Sequence, residues 1–369
     1  MPALHRGALL LGWVFATVLV LCTVLMFVPG PTVELWLLGT VAAEQALVVT
    51  VAAVALVALL RRRIGFVVIG VVAAVASLVP TVAAARAADG VDWGAYLAGT
   101  SLTASGGPDA TEVYATVDGV ELRADLWFPP GDGRDRPAVV WVHGSEGRRS
   151  ETPEWDLELA RAGAVVIDVD YRLFPPARWQ DQTADIACAL GWVGANAARL
   201  GIDPDRTALV GSSRGGQLVL LAGYAPRQFP PSCDVAPVRP SAVVEFAAPT
   251  DMAPLYGLGS WRYPDLGGGT EELERFLGGT PATNPEAYTA ASPLMHVRRD
   301  VPPTLIIHGS RDQIVPVTQA RTLEAALRDA GARHRYVELA YANHWFDLVW
   351  GSPNTQNARA VTVDFLRLE

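Results

Sequence analysis

Residues 211–215 read Gly-Ser-Ser-Arg-Gly and fit G-x-S-x-G around Ser213. A short apolar run, 207–210, precedes them, and residues 217–224 read as a helix, so the motif has the strand, turn and helix it needs. Glycines on either side of Ser213 permit a strained turn that pushes the hydroxyl out at the end of a sheet. The N–H groups at the start of the new helix then point at negative charge developing there. A serine hydroxyl is a poor nucleophile until an imidazole can take its proton. The imidazole in turn needs a carboxylate to fix its tautomer and stabilise its charged form. By itself the pentapeptide also fits an ordinary strand-to-helix turn, so the partners must be sought elsewhere in the chain.

There are six histidines. His5 precedes the first apolar segment, and His296 and His334 sit beside arginines in polar surroundings. His143 and His308 each end an apolar run and precede glycine, where they could shape loops near a site. His344, in Ala-Asn-His-Trp-Phe at 342–346, falls after the last strand-like run and before the closing helix. The chain order serine, acid, histidine is the one expected of this elbow, which makes His344 the candidate base. Asp312, in a loop after the run 304–308, is the candidate acid; Asp251 competes with it, and Asp347 is too close to His344 to orient it. Two N–H donors are needed for an oxyanion. Arg214 supplies one, and Gly144 or Ser145, after the run 137–142, supplies the other. His143, Trp345 and Phe346 are candidates for the substrate pocket. No C-x-x-C or His/Cys cluster suggests a structural metal.

From residue 112 onwards the chain alternates strand-like and helix-like segments. Runs at 113–117 and 120–128 flank Asp118-Gly119, a strong hairpin signal. Further strand-like runs lie at 137–142, 164–169, 207–210, 242–247, 304–308 and 336–339. Helical spacing marks 153–162, 181–200, 217–224, 318–330 and 354–368. Two antiparallel strands followed by repeated strand–helix units imply an α/β fold: a mostly parallel sheet of about eight strands with helices on both faces. Ligands to such sheets bind beyond the strands' carboxyl ends, where Ser213, His143, Asp312 and the loop of His344 all fall. Residues 252–299 form an insertion rich in Gly, Pro and aromatics, including Tyr256, Trp261, Tyr263, Phe276 and Tyr288, with one short helix expected at 271–277. It could cap the site.

Half of the residues are hydrophobic and mean hydropathy is +0.24, too apolar for an ordinary soluble domain. The excess sits at the front. Residues 8–28, 35–60 and 64–85 read as three transmembrane helices within a segment spanning 1–88. Glu44 and Gln45 would be expensive at mid-bilayer, which favours an interfacial position for them over a neighbouring helix. Arg6 and Arg61, Arg62 and Arg63 put the N-terminus and the second connection in the cytoplasm, and everything after Arg86 outside. Residues 89–110 read as a linker that lifts the domain at 111–369 off the bilayer. The net charge is −9, and the first 90 residues carry five arginines against three acids, so the domain is strongly acidic. That argues against nucleic acid as a partner. Of three cysteines, Cys22 lies in an apolar segment; Cys188 and Cys233 could pair in an oxidising compartment, but two unrelated thiols are the simpler expectation.

The pieces at 143–144, 170–173, 201–206, 211–216, 302–312, 315–316 and 343–344 together resemble the α/β-hydrolase superfamily, and within it the esterase/lipase branch with hormone-sensitive-lipase-like and bacterial carboxylesterases. The resemblance spans 112–369 and leaves the apolar front outside. It implies hydrolysis of carboxylic esters through an acyl-enzyme, with Ser213, His344 and Asp312 as triad and no metal or cofactor. The oxyanion loop departs from the family's frequent His-Gly-Gly-Gly: here it is His-Gly-Ser-Glu-Gly at 143–147, with Glu146 adding a carboxylate near the mouth. The expected protein is therefore a membrane-anchored, outward-facing serine esterase acting on a small-molecule or lipid-like ester. A prolyl-oligopeptidase-type peptidase, an envelope acyltransferase and a non-catalytic binding module are the alternatives.

Overall fold

A computed structural model describes residues 2–88, 90–99, 106–145, 147–175, 178–258 and 269–368. The chain forms two compact units. One combines 103–308, 314–338 and 358–369; the other combines 1–102 with two short pieces of the later chain, 309–313 and 339–357.

The larger unit is built on eight strands: β1 (Ala110–Val117), β2 (Val120–Trp127), β3 (Arg136–Val142), β4 (Val165–Val169), β5 (Ile202–Ser212), β6 (Val243–Phe246), β7 (Thr304–Gly309) and β8 (His334–Leu339). They are ordered β1-β2-β4-β3-β5-β6-β7-β8. β1 pairs antiparallel with β2, and β2 with β4, whereas β4, β3, β5, β6 and β7 run parallel. The parallel strands read as continuous Val, Leu and Ile because both faces are covered. Val139, Val140, Leu209, Val210, Val243, Val244, Ile306 and Ile307 are fully buried. Each contributes about 1.5–3 kcal/mol of burial. The mostly parallel, eight-stranded sheet with helices is thus as the sequence pattern implies.

The apolar front forms α1 (Pro2–Leu25), α2 (Val33–Glu44), α3 (Ala46–Leu59) and α4 (Ile64–Ala87). Among the described residues, α4 is by itself long and apolar enough to cross a membrane, and α2 with α3 passes the same test as a bent pair; the apolar part of α1 is Leu9–Leu25. The segment 35–60 is not one helix, because α2 and α3 meet at an angle of 85°. The break falls at the polar pair Glu44-Gln45. Glu44 is 2% exposed, and its carboxylate accepts from Asn354 Nδ2 at 3.1 and 3.2 Å. The bend at Glu44 lets that carboxylate find its donor within the protein. Within the expected linker, α5 (Trp93–Ala98) is helical, capped by Asp92, and Tyr96 is buried with its hydroxyl accepting from Leu47 N–H at 3.2 Å.

Later helices are α6 (Pro153–Arg161), α7 (Trp179–Leu200), α8 (Arg214–Tyr224), α9 (Met252–Gly257), α10 (Thr270–Leu277), α11 (Pro285–Ala290), α12 (Thr318–Asp329) and α13 (Pro353–Leu366). Among its described residues, the insertion at 252–299 holds α9, α10, α11 and a 3-10 turn at Pro293–His296, where one helix is expected; Trp261 and Tyr263 lie outside the described residues. Phe276 and Tyr288 are buried in a satellite cluster with Met252, Leu255 and Trp179. Cys188 on α7 forms a disulfide with Cys233, at a Cα–Cα separation of 5.5 Å, which overturns the expectation of two unrelated thiols. The Pro-rich stretch after α8 folds back on α7, with Ser232 N–H donating to Ala184 O at 3.0 Å, a return that spacing alone does not reveal.

Candidate active site

Ser213 sits between β5 and α8 with φ 53° and ψ −117°. Positive φ is costly for a residue with a Cβ and persists only where its surroundings impose it. Two features impose it. Ser213 N–H donates to Phe246 O on β6 at 2.7 Å. A side chain at Gly215 would meet the carbonyl carbon of Val142 at 2.7 Å, so only glycine lets α8 start this close to β3. The turn has the tight strand-to-helix geometry of an elbow, as the motif implies.

The loop after β3 lies beside it: a Cβ on Gly144 would be 3.8 Å from Ser213 Cβ. Tyr171 governs its orientation. The Tyr171 hydroxyl donates to Gly144 O at 2.7 Å, with His143 O at 3.1 Å, and burial holds that phenol protonated by pushing its pKa up. His143 Nδ1 also lies 2.8 Å from Gly144 O, and its ring stacks on Tyr171 at 4.5 Å. Burial lowers the pKa of His143, so the neutral ring with Nδ1–H donating fits its place. N–H and C=O of one peptide point opposite ways. With the Gly144 carbonyl held by Tyr171, the Ser145 N–H faces away from it. In the sequence Tyr171 stands within the motif 170–173 with no role of its own; its one signal is an aromatic residue just after the strand-like run 164–169. Glu146 lies outside the described residues.

Arg148 and the residues after it lead to a polar anchor. Arg149 pairs with Asp125 at 3.1 Å and with Asp170, while Ser150 N–H donates to Asp168 and Ser150 Oγ to Asp125 Oδ2 at 2.8 Å. Both ends of the 143–151 segment are therefore tied to the sheet. Arg214, first residue of α8, puts its guanidinium 3.9 Å from the Phe276 ring centre and donates to Gln217 Oε1 at 3.2 Å. Its side chain is thus held to one side of the elbow, leaving the backbone N–H as the group of interest.

In the smaller unit, His344 Nδ1 lies 2.7 Å from Asp312 Oδ2, and both residues are buried. Asn343 Oδ1 accepts from Gln313 N–H at 3.1 Å and from His344 N–H at 2.9 Å, which ties the acid's loop to the base's loop. Asp251, the competing acid, is engaged elsewhere: its carboxyl faces Ser292 and the backbone of Ala253, and burial raises its pKa. Of the pocket candidates, Phe346 is fully buried, whereas Trp345 is 37% exposed and packs edge-on against Trp36 at 5.1 Å. His308 Nε2 faces Val315 O at 2.8 Å, His296 Nε2 faces Ala290 O at 3.0 Å and His334 Nδ1 faces Ala332 O at 2.9 Å. Those three shape loops. Among the described residues, no three His, Cys, Asp or Glu side chains converge to hold a metal.

Sheet order and elbow together define an α/β-hydrolase fold. The BD-FAE family model matches residues 124–327, more than half of the chain, and the chain belongs to that family. Among curated relatives, a probable carboxylic ester hydrolase, LipM, of Mycobacterium tuberculosis (strain ATCC 25618 / H37Rv) is 33% identical over 229 residues, covering 61% of this chain and 51% of its own length. Esterase LipC of the same organism is 32% identical over 232 residues, covering 62% and 56%. The chain thus spans little more than half the length of these relatives. Among solved structures, propionate-bound esterase 2 from Thermogutta terrifontis matches with TM-score 0.58 and 27% identity over 70% of this chain and 93% of that one.

Proposed function

We propose that this chain is a serine hydrolase that cleaves carboxylic esters through an acyl-enzyme. In this reading Ser213 Oγ attacks the acyl carbonyl while His344 Nε2 takes its proton. Asp312 holds the imidazole through Nδ1 and stabilises its charged form. The N–H groups of Arg214 and Ser145, with Gly144 giving the close approach, receive the oxyanion. His344 then returns the proton to the leaving alcohol, and water repeats the sequence on the acyl-Ser213 ester. The observation that carries the reading is the 2.7 Å bond between His344 and Asp312. A buried imidazole with one nitrogen committed to a carboxylate has its other nitrogen set as a base. The relatives' names support ester chemistry, and the Thermogutta terrifontis esterase bound propionate and butyrate and was phosphorylated by organophosphates. A short-chain ester is therefore the first substrate to offer this chain.

A fluorophosphonate should label the wild-type protein and leave Ser213→Ala unlabelled, and that variant should not turn over p-nitrophenyl butyrate. Retained turnover in Ser213→Ala would sink the triad. An anilide of the same acid serves as the peptidase control.

We further propose that α4 anchors the chain in a membrane with its domain on the outer side. Ile64, Val72 and Val75 of α4 expose apolar side chains suited to lipid, and the arginines at 61–63 favour the cytoplasmic side. The Cys188–Cys233 disulfide fits an oxidising compartment. Protease added to intact spheroplasts should digest the domain; complete protection would reverse the orientation.

A further inference from the structure

The pieces 309–313 and 339–357, which carry Asp312 and His344, belong to the same compact unit as the apolar front of the chain. Four docking points account for it. Beside the base, Trp36 of α2 is buried and packs on Trp345 at 5.1 Å. Beside the acid, Arg311 Nη1 donates to Phe27 O at 2.6 Å, and its guanidinium lies 5.5 Å from the Phe27 ring centre and 5.2 Å from that of Tyr341, two rings that meet edge-on at 5.8 Å. Behind the base loop, Asn354 Nδ2 donates both to Glu44 at 3.1 and 3.2 Å and to Ala340 O at 3.1 Å, fixing where that loop leaves its strand. A fourth contact closes the set. A Cβ on Gly99 would lie 2.6 Å from Gly351 Cα, and Gln356 exchanges hydrogen bonds with the backbone of Asp92 at 2.7 and 3.0 Å.

An anchor does not need these contacts. Lipid-facing helices hold a domain at a membrane through their outer surfaces alone, whereas here buried aromatic, ionic and polar groups are spent on the two loops that carry chemistry. We infer that the N-terminal helices are part of the catalytic scaffold, with Trp36 and Glu44 as positioning residues for His344 and Asp312. Trp36 acts through Trp345, the residue after the base. Glu44 acts through Asn354 and the Ala340 carbonyl. The inference rests on the triad reading above. Misplacing a catalytic group by about 1 Å costs on the order of a hundredfold in rate, so a loosened loop would show in turnover before it shows in substrate affinity.

The test uses the full chain in nanodiscs of phosphatidylethanolamine and phosphatidylglycerol. Trp36→Ala should lower kcat for p-nitrophenyl butyrate about ten- to a hundredfold with KM near wild type. The acidic limb of its kcat/KM profile should also move, since that limb reports the free imidazole. Trp36→Phe, which keeps an aromatic face for Trp345, should recover most of the rate. Glu44→Ala should behave like Trp36→Ala, and Glu44→Gln, whose amide oxygen still accepts from Asn354, should not. That second pair decides the matter where Trp36→Ala fails to fold. Wild-type kcat and pH profile in folded Trp36→Ala or Glu44→Ala would overturn the inference and leave the triad standing if Ser213→Ala is dead. Turnover in Ser213→Ala would overturn the triad instead.

Discussion

His344 Nδ1 and Asp312 Oδ2 are 2.7 Å apart, with 3% and 0% of their side chains exposed. A charge-assisted bond this sheltered is little screened by solvent, and it commits Nδ1 to the carboxylate. Asp312→Asn would keep the shape but present an amide, which can select the wrong tautomer. We expect kcat to fall about ten-thousand-fold with the fold intact, read by steady-state kinetics beside a thermal melt. A loss below tenfold would mean that Asp312 is not the orienting acid.

Tyr171 and Gly144 give the second prediction. The hydroxyl holds the Gly144 carbonyl at 2.7 Å and so aims the next N–H. Tyr171→Phe removes that bond while keeping the ring that stacks on His143. Turnover should drop about ten- to a hundredfold, short of the loss expected for a missing oxyanion donor, with KM little altered. An unchanged kcat would place the control of this loop elsewhere.

Asp156 is fully buried, with neither carboxylate oxygen hydrogen-bonded among the described residues, and burial followed by the charge of Asp125 pushes its pKa up. A carboxyl whose folded pKa exceeds its unfolded one binds more protons folded than unfolded. Stability therefore falls as pH rises from the ordinary carboxylate range towards the folded pKa. Asp156→Asn cannot ionise, so it should melt about 2–4 °C above wild type at pH 8 and close to wild type at pH 4. Equal melting temperatures of the two proteins at both pH values would refute this.

The Cys188–Cys233 disulfide ties α7 to the Pro-rich stretch before β6, across 45 residues of sequence. Replacing both cysteines with serine should cost about 2–4 kcal/mol, seen as a lower urea midpoint with kcat unchanged. A midpoint at the wild-type value would show the pairing to be dispensable.

Much of the hydrolase part was legible from sequence. Period and apolar runs give β1 to β8 and most helices to within a few residues, because parallel strands covered on both faces leave no other pattern. G-x-S-x-G carries its own geometry, since only small residues let α8 start against β3, and the elbow at Ser213 follows. Chain order admits both Asp251 and Asp312; Asp312 stands in the loop after the run 304–308, one helix and one strand before His344, and its Oδ2 lies 2.7 Å from His344 Nδ1.

What the sequence could not settle are the relationships between residues far apart in the chain. Hydropathy counts apolar side chains along a segment and cannot see a bend, so 35–60 read as one span although Glu44 turns the helix towards Asn354. Cys188 and Cys233, Tyr171 and Gly144, and Trp36 and Trp345 are likewise pairs that no local spacing encodes. By itself the sequence determined which residue types stand ready for such chemistry and which strands they follow, because those are matters of residue type and period. Only the tertiary structure decided that the apolar front reaches the loops of Asp312 and His344, because a buried carboxylate must find its donor wherever the fold supplies one.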